Sequence, residues 1–292
     1  MLATTGPLLL LLAAGSGQGL LEGHVGAGGG YQGNVTMAAG GAPVSGSGLA
    51  AAWAALGLGW DPGDSTSLHG GLRYDGAFYP GATDLTRNAG SVDLLWIQDV
   101  GSGIAVIVAA SGAWAWYADP ARSGPGLSLR ATLRAKPWTW LTLRGGYAYT
   151  QRWAEVTAYS TSSNAVLASA EARLASGIYL GLGYSWLTGP QTFYAEAPAT
   201  GTVTPAPSGP PDGSGAGPGG GGSGGGMATG SGVFTDLVPY LANATESTLA
   251  PSFEAVVWEG LYLFATYAYT WGSSTEGSYT VQYALGGAGY RF

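Results

Sequence analysis

Between Gly103 and Tyr117, Ile104, Val106, Val108, Ala110, Trp114 and Trp116 fall on one phase, and Ala105, Ala109, Ser111 and Ala113 fall on the other. A period of two is the signature of a β-strand, whose successive side chains point to opposite faces. In Leu127 to Lys136, Leu127, Leu129, Ala131 and Leu133 alternate with Ser128, Arg130, Thr132, Arg134 and Lys136, and the chain turns at Pro137. Trp140 to Arg152 repeats the pattern, with Leu141, Leu143, Tyr147 and Tyr149 set against Thr142, Arg144, Ala148, Thr150 and Arg152. These three segments predict two strands joined by a hairpin, with a third beside them.

Nine further segments carry the same pattern less sharply: Leu20–Tyr31, Leu49–Trp60, Ser67–Phe78, Ala89–Gln98, Ala165–Leu174, Ile178–Trp186, Leu249–Trp258, Leu261–Trp271 and Tyr279–Phe292. With the first three they make about twelve strands. Each is about 10 residues long and bounded by Gly, Pro, Asp or Ser, the reading of an all-β, antiparallel up-and-down transmembrane barrel. The links Asp61–Asp64, Asp99–Ser102, Pro137, Ala175–Gly177 and Glu259–Gly260 are short, and those between them are generally longer. Short turns on the periplasmic side and longer loops outside orient such a barrel. Trp60, Trp138, Trp140 and Trp258 then fall at the short-turn end, and Trp114, Trp116, Trp186 and Trp271 at the loop end, as two interfacial belts.

Composition sharpens this picture. Only 9% of the 292 residues are charged while 46% are apolar, too little charge for an ordinary soluble surface. No apolar run approaches the ~20 residues of a spanning helix. A Gly-rich soluble β-sandwich or adhesin is the competing class. Leu8 to Ala14, followed by Gly15-Ser16-Gly17, reads as a secretory signal over residues 1–17, although no Lys or Arg precedes its apolar core. The connection at about 189–247 is an expected extracellular loop with a centre, Gly213 to Gly226, that is nearly all Gly, Ser and Ala.

Chemistry is sparse. With no cysteine, there is no thiolate metal site and no Cys nucleophile. His24 and His69 lie on the inward phase near the short-turn end, away from an outer rim where a catalytic His would meet its substrate. Gly221-Gly222-Ser223-Gly224-Gly225 fits the hydrolase elbow only by low complexity, with neither strand before nor helix after it. No catalytic residue, cofactor or metal site is expected, and a net charge of -7 excludes a nucleic-acid footprint.

The informative feature is where the charges sit. Arg73, Arg130, Arg134, Lys136, Arg144, Arg152 and Arg173 all lie in strands on the phase opposite the apolar one. That phase is the lumen, since Arg facing lipid costs ~2–4 kcal/mol at the midplane. Asp75, Asp93 and Glu171 are the main inward acids. A hairpin centred on Trp138 sets Thr132 against Arg144 and Arg134 against Thr142, with Arg144 diagonal to Arg130 and Arg134 and Glu171 as the nearest neutraliser. Asp75 and Asp93 form an expected acidic wall facing this basic one. Inward Ala51, Ala55, Gly57, Gly59, Ala105, Ala109, Gly181 and Gly183 leave lumen volume unfilled. An open channel and a lumen plugged by Arg–carboxylate pairs and the long loop both remain open.

The chain ends Gly287-Ala288-Gly289-Tyr290-Arg291-Phe292. This segment resembles the closing strand of bacterial outer-membrane β-barrels, porin-like in architecture, in its Gly, its two aromatics and its final Phe. The resemblance implies that Gly287, Tyr290 and Phe292 form an assembly signal read by the barrel-assembly machinery, and that the mature chain, residues 18–292, sits as a monomer in outer-membrane lipid. It departs from the family at Leu285, where a polar residue is usual, and the aromatic phase changes at Gly286-Gly287, which predicts a bulge there. The expected function is a passive pore for small hydrophilic, preferably anionic solutes. The alternative is a non-conducting structural or surface-interaction barrel that works through its long loop.

Because Gly/Ser-rich sequence buries little and loop length costs little closure entropy, deleting residues 213–226 is expected to leave β-type circular dichroism and heat-modifiable migration unchanged. Loss of either would make the segment structural.

Overall fold

The computed structural model describes residues 20–35, 45–196, 237–275 and 277–292. It contains twelve strands: β1 (Leu20–Gln32), β2 (Ser47–Gly63), β3 (Thr66–Phe78), β4 (Arg87–Gly101), β5 (Ile104–Tyr117), β6 (Gly124–Trp138), β7 (Leu141–Arg152), β8 (Thr161–Ala175), β9 (Ile178–Glu196), β10 (Leu237–Trp258), β11 (Leu261–Ser274) and β12 (Gly277–Arg291). Every strand pairs antiparallel with its sequence neighbours, and β1 pairs with β12 to close the ring. All twelve segments read from the alternation are strands. Residues 1–17 and Gly213 to Gly226 lie outside the described residues.

Outward positions carry the large apolar side chains, among them Leu72, Val92, Leu94, Leu129, Leu133 and Leu182, all exposed on the outer wall. The eight tryptophans assigned to the two belts are exposed as well, and Trp138 stacks on Trp140 at 5.5 Å. Polar groups on the outer face near the loop end are paired with tyrosines: the Tyr74 hydroxyl donates to Asn88 Oδ1 at 2.5 Å, and the Tyr147 hydroxyl donates to Asn164.

The short-turn end is built from two-residue turns, each preceded by a register shift: between Trp60 and Gly63, Asp99 and Gly101, Ala135 and Trp138, Arg173 and Ala175, and Val256 and Trp258. Gly103, Gly177 and Gly260 hold positive φ in these turns, which two-residue hairpins demand. The shift corrects the expected β6–β7 hairpin. The turn is Thr139-Trp140, not Trp138, because Pro137 lacks the N–H for a regular ladder and sits in a bulge. Arg134 therefore faces Arg144, and Thr132 faces Gly146.

No bulge interrupts β12. Its pairing with β1 and β11 keeps one register throughout. Tyr279, Val281 and Leu285 point inward and are buried, while Tyr290 and Phe292 point outward. The change of phase is a change of solvent: Ser278, Thr280 and Gln282 on the outer face of this stretch are exposed and polar. Here the wall rises above the hydrocarbon band and packs an apolar interior against water outside. Phe193, Ala242, Ala244, Tyr279 and Val281 form that interior.

The strands next to it extend farther than the alternation indicated. Residues 189–196 and 237–247, read as loop, belong to β9 and β10. Beyond Gly189 and before Ala244 these two strands pair only with each other. Gln191, Thr192, Phe193 and Tyr194 are all buried, so both faces of the ribbon are covered. It leaves the wall at Gly189, where a Cβ would lie 2.1 Å from the Ser162 carbonyl oxygen.

At the seam, Gly26, Gly28 and Gly29 face Gly289, Gly287 and Gly286. A Cβ on Gly287 would lie 2.1 Å from the Ala27 carbonyl oxygen. Gly287→Val is therefore expected to block closure of the barrel and abolish heat-modifiable migration. A variant that migrates like the parent would show that the close approach is dispensable.

Candidate functional site

Five of the seven expected basic residues face inward in three groups, and the other two, Lys136 and Arg173, lie at the short-turn rim. Arg130, Arg134 and Arg144 share the β6–β7 wall. Arg134 pairs with Asp99 at 3.2 Å and Arg144 with Glu171 at 3.5 Å, both carboxylates being well exposed at 57% and 41%. Arg130 Nε donates to the Thr132 hydroxyl at 3.2 Å; among the described residues no carboxylate lies within ion-pair distance of it. Nε of Arg134 and of Arg144 is buried without a protein partner. Three guanidiniums here stand against two carboxylates, so the wall keeps one net positive charge.

Arg73 belongs to a second, neutral group. It pairs with Asp75 at 2.7 Å on the same face of β3. Asp93 accepts from the Ser91 hydroxyl at 3.2 Å. The expected acidic wall is thus reduced: residues two apart on one strand share a face, and Asp75 is taken by its own strand's arginine. Lys136 and Arg173 are exposed at the short-turn rim and do not line the middle of the lumen.

Arg152 belongs to the third group, at the loop end. Its guanidinium lies 4.6 Å from the Tyr117 ring centroid and donates to the Arg122 carbonyl oxygen. Arg122, on the single turn Pro120–Arg122, is 1% exposed. It sits 4.5 Å from the Tyr159 ring and 5.3 Å from the Tyr194 ring, and pairs with Asp119 at 3.2 Å. Tyr159 lies on another single turn, Thr157–Tyr159, and the Thr192 hydroxyl donates to the Ala158 carbonyl at 2.8 Å. Burial pushes the Tyr159 phenol above its ordinary range, with the Arg122 charge pulling the other way. Tyr159 and Tyr194 join Val35, Leu49, Tyr79, Ala82, Leu85 and Leu285 in an apolar cluster. Loops and ribbon together narrow the outer mouth.

The sequence reading missed the aromatic lining. Trp53, Phe264 and Tyr262 share the inward phases of β2 and β11. Trp53 and Phe264 meet edge to face at 5.3 Å, and Arg291 lies 4.3 Å from the Tyr262 ring while pairing with Glu254 at 2.7 Å. Glycines of the seam make room for these rings: a Cβ on Gly26 would lie 2.3 Å from the Trp53 indole, and one on Gly289 would lie 2.3 Å from the Tyr262 hydroxyl. Ile97, Ala105 and Ile107 form a smaller inward apolar cluster. A signal was present, since Trp53 occupies the same phase as Ala51 and Ala55, and Ile107 that of Ala105 and Ala109.

No protein-family model matches the chain, and no curated protein does. Among solved structures it is similar to an outer membrane channel from Pseudomonas putida F1, with a TM-score of 0.52 and 9% identity over 96% of this chain and 100% of that one. It is also similar to the translocator domain of the autotransporter NalP from Neisseria meningitidis (TM-score 0.42, 14% identity, 94% of this chain and 90% of that one). An anion-selective porin from Comamonas acidovorans aligns with a TM-score of 0.40 at 8% identity over 94% of this chain and 99% of that one. At such identities the likeness is one of fold, and the fold is that of an outer-membrane β-barrel.

Arg122 ties both single turns to the ribbon, so Arg122→Gln is expected to loosen the mouth and raise single-channel conductance while the barrel stays assembled. Unchanged conductance in an assembled variant would mean that the mouth cluster does not limit passage.

Proposed function

We propose that this outer-membrane β-barrel is a passive pore for small hydrophilic solutes, with a preference for anions. The observation that carries the reading is the β6–β7 wall, where among the described residues Arg130 has no carboxylate within ion-pair distance and Arg134 and Arg144 are paired with solvent-exposed ones. Arg does not shed its charge, and a charged wall in a narrow passage concentrates the opposite ion. Placement in the bacterial outer membrane, as a monomer in lipid, follows from the same reading. Gly287, Tyr290 and Phe292 are the segment that the assembly machinery reads. Phe292 and Gly23 exchange backbone hydrogen bonds at 3.0 Å in each direction, so the last residue is paired to the first strand.

The apolar cluster at the mouth favours a second reading, a non-conducting structural or surface-interaction barrel. Charge replacement separates the two. Replacing Arg130, Arg134 and Arg144 together by Ala is expected to shift the reversal potential toward cations in a salt gradient, with the fold intact by circular dichroism. An unchanged reversal potential in a conducting variant contradicts the anion preference, and unfolding of the variant favours the plugged barrel.

A further inference from the structure

In a ring of twelve strands, β6 and β7 stand opposite β12 and β1. The basic wall therefore faces the seam, and the rings of Trp53 on β2 and Phe264 and Tyr262 on β11 flank that seam on its two sides. Height matters as much as direction. Following the pairing from strand to strand with its stagger brings Arg130 to the level of Trp53 and Phe264, and Arg144 to that of Tyr262. One cross-section of the lumen thus has a cationic side and an aromatic side.

The intervening walls carry Arg73 paired with Asp75 on β3, Asp93 on β4, and small residues elsewhere. At its level β9 contributes Gly181 and Gly183, β7 contributes Gly146 and β5 contributes Ala109. The aromatic side is itself a built feature, because Gly26 and Gly289 admit rings that any Cβ at these positions would exclude. These rings are not needed for burial from lipid, since they point away from it.

We propose that the solutes taken by this section are aromatic carboxylates, the carboxylate drawn to Arg130 and Arg144 and the ring to Trp53 and Phe264. Guanidinium and carboxylate match in charge and geometry. Aromatic rings attract one another edge to face, the arrangement that Trp53 and Phe264 already adopt at an interplanar angle of 69°. A saturated ring of like size keeps the charge and the apolar area but loses that ring–ring attraction. This inference rests on the pore reading for delivery of the solute, whereas the site itself does not depend on conduction.

The test compares 3-phenylpropionate with 3-cyclohexylpropionate on the full purified chain. Affinity is read by calorimetry in detergent, and block of chloride current is read in planar bilayers. An aromatic pair contributes enough to make the aromatic acid bind roughly 2- to 12-fold more tightly. Trp53→Leu with Phe264→Leu is expected to erase that ratio, and Arg130→Gln to weaken both acids alike. Equal affinity of the wild-type chain for the two acids overturns the proposal without recourse to any variant. Discrimination in detergent without current keeps the site and removes the pore, whereas chloride current without discrimination removes the site and keeps the pore.

Discussion

A peptide group in hydrocarbon has no water to bond, so every N–H and C=O of a spanning sheet must find its partner within the sheet. Closure of β1 on β12 answers this requirement, and much else follows from it. The seam pairs glycine with glycine across several rows, and there the backbone of Ala27 stands where a side chain on Gly287 would be. The hairpins at the short-turn end turn within two residues, and all the register shifts fall at that end. These shifts lie at the rim, where water can satisfy what the ladder leaves; within the wall the β10–β11 ladder is interrupted at Ala250 and Pro251, the proline having no N–H to give.

The same constraint frees the lumen from a single polarity. Outward positions must suit lipid, but inward ones need only suit one another and the water or solute they enclose. Basic, neutral ion-paired and aromatic stretches therefore coexist around one ring, with Arg130 on one side and Trp53 and Phe264 on the other. Above the membrane belt the requirement reverses. Ser278, Thr280 and Gln282 face out, while Tyr279 and Val281 are buried within, and the Tyr279 hydroxyl donates to Glu246 Oε1 at 2.6 Å. An apolar interior of this kind holds the mouth together as a soluble core does.

The fold was legible because period-two alternation over about ten residues is set by the bilayer itself. The inward direction of Arg130, Arg134 and Arg144 was equally plain, since lipid forbids the other choice. The pairing of Arg134 with Arg144 was not, because the turn at Thr139-Trp140 and the bulge at Pro137 together move the register by two residues, which keeps every side chain on its own face and leaves no mark in the pattern of polarity. The inward rings were missed for a related reason. Sequence phasing assigns large apolar residues to the lipid side, and only position within an otherwise small-residue phase reveals Trp53 and Ile107 as exceptions. Tyr279 and Val281 misled in the same way, because where the wall leaves the membrane cannot be read from alternation alone. The gathering of Arg122, Arg152, Tyr159 and Tyr194 at the mouth depends on contacts between distant loops, which no local pattern encodes.

The central claim is that a lumen with a net basic wall passes anions. Single-channel recording of the purified wild-type chain across a tenfold potassium chloride gradient tests it most directly. The account predicts steady current with a reversal potential displaced toward the chloride equilibrium potential. Electrically silent insertion of assembled barrels, or a displacement toward potassium, would contradict it.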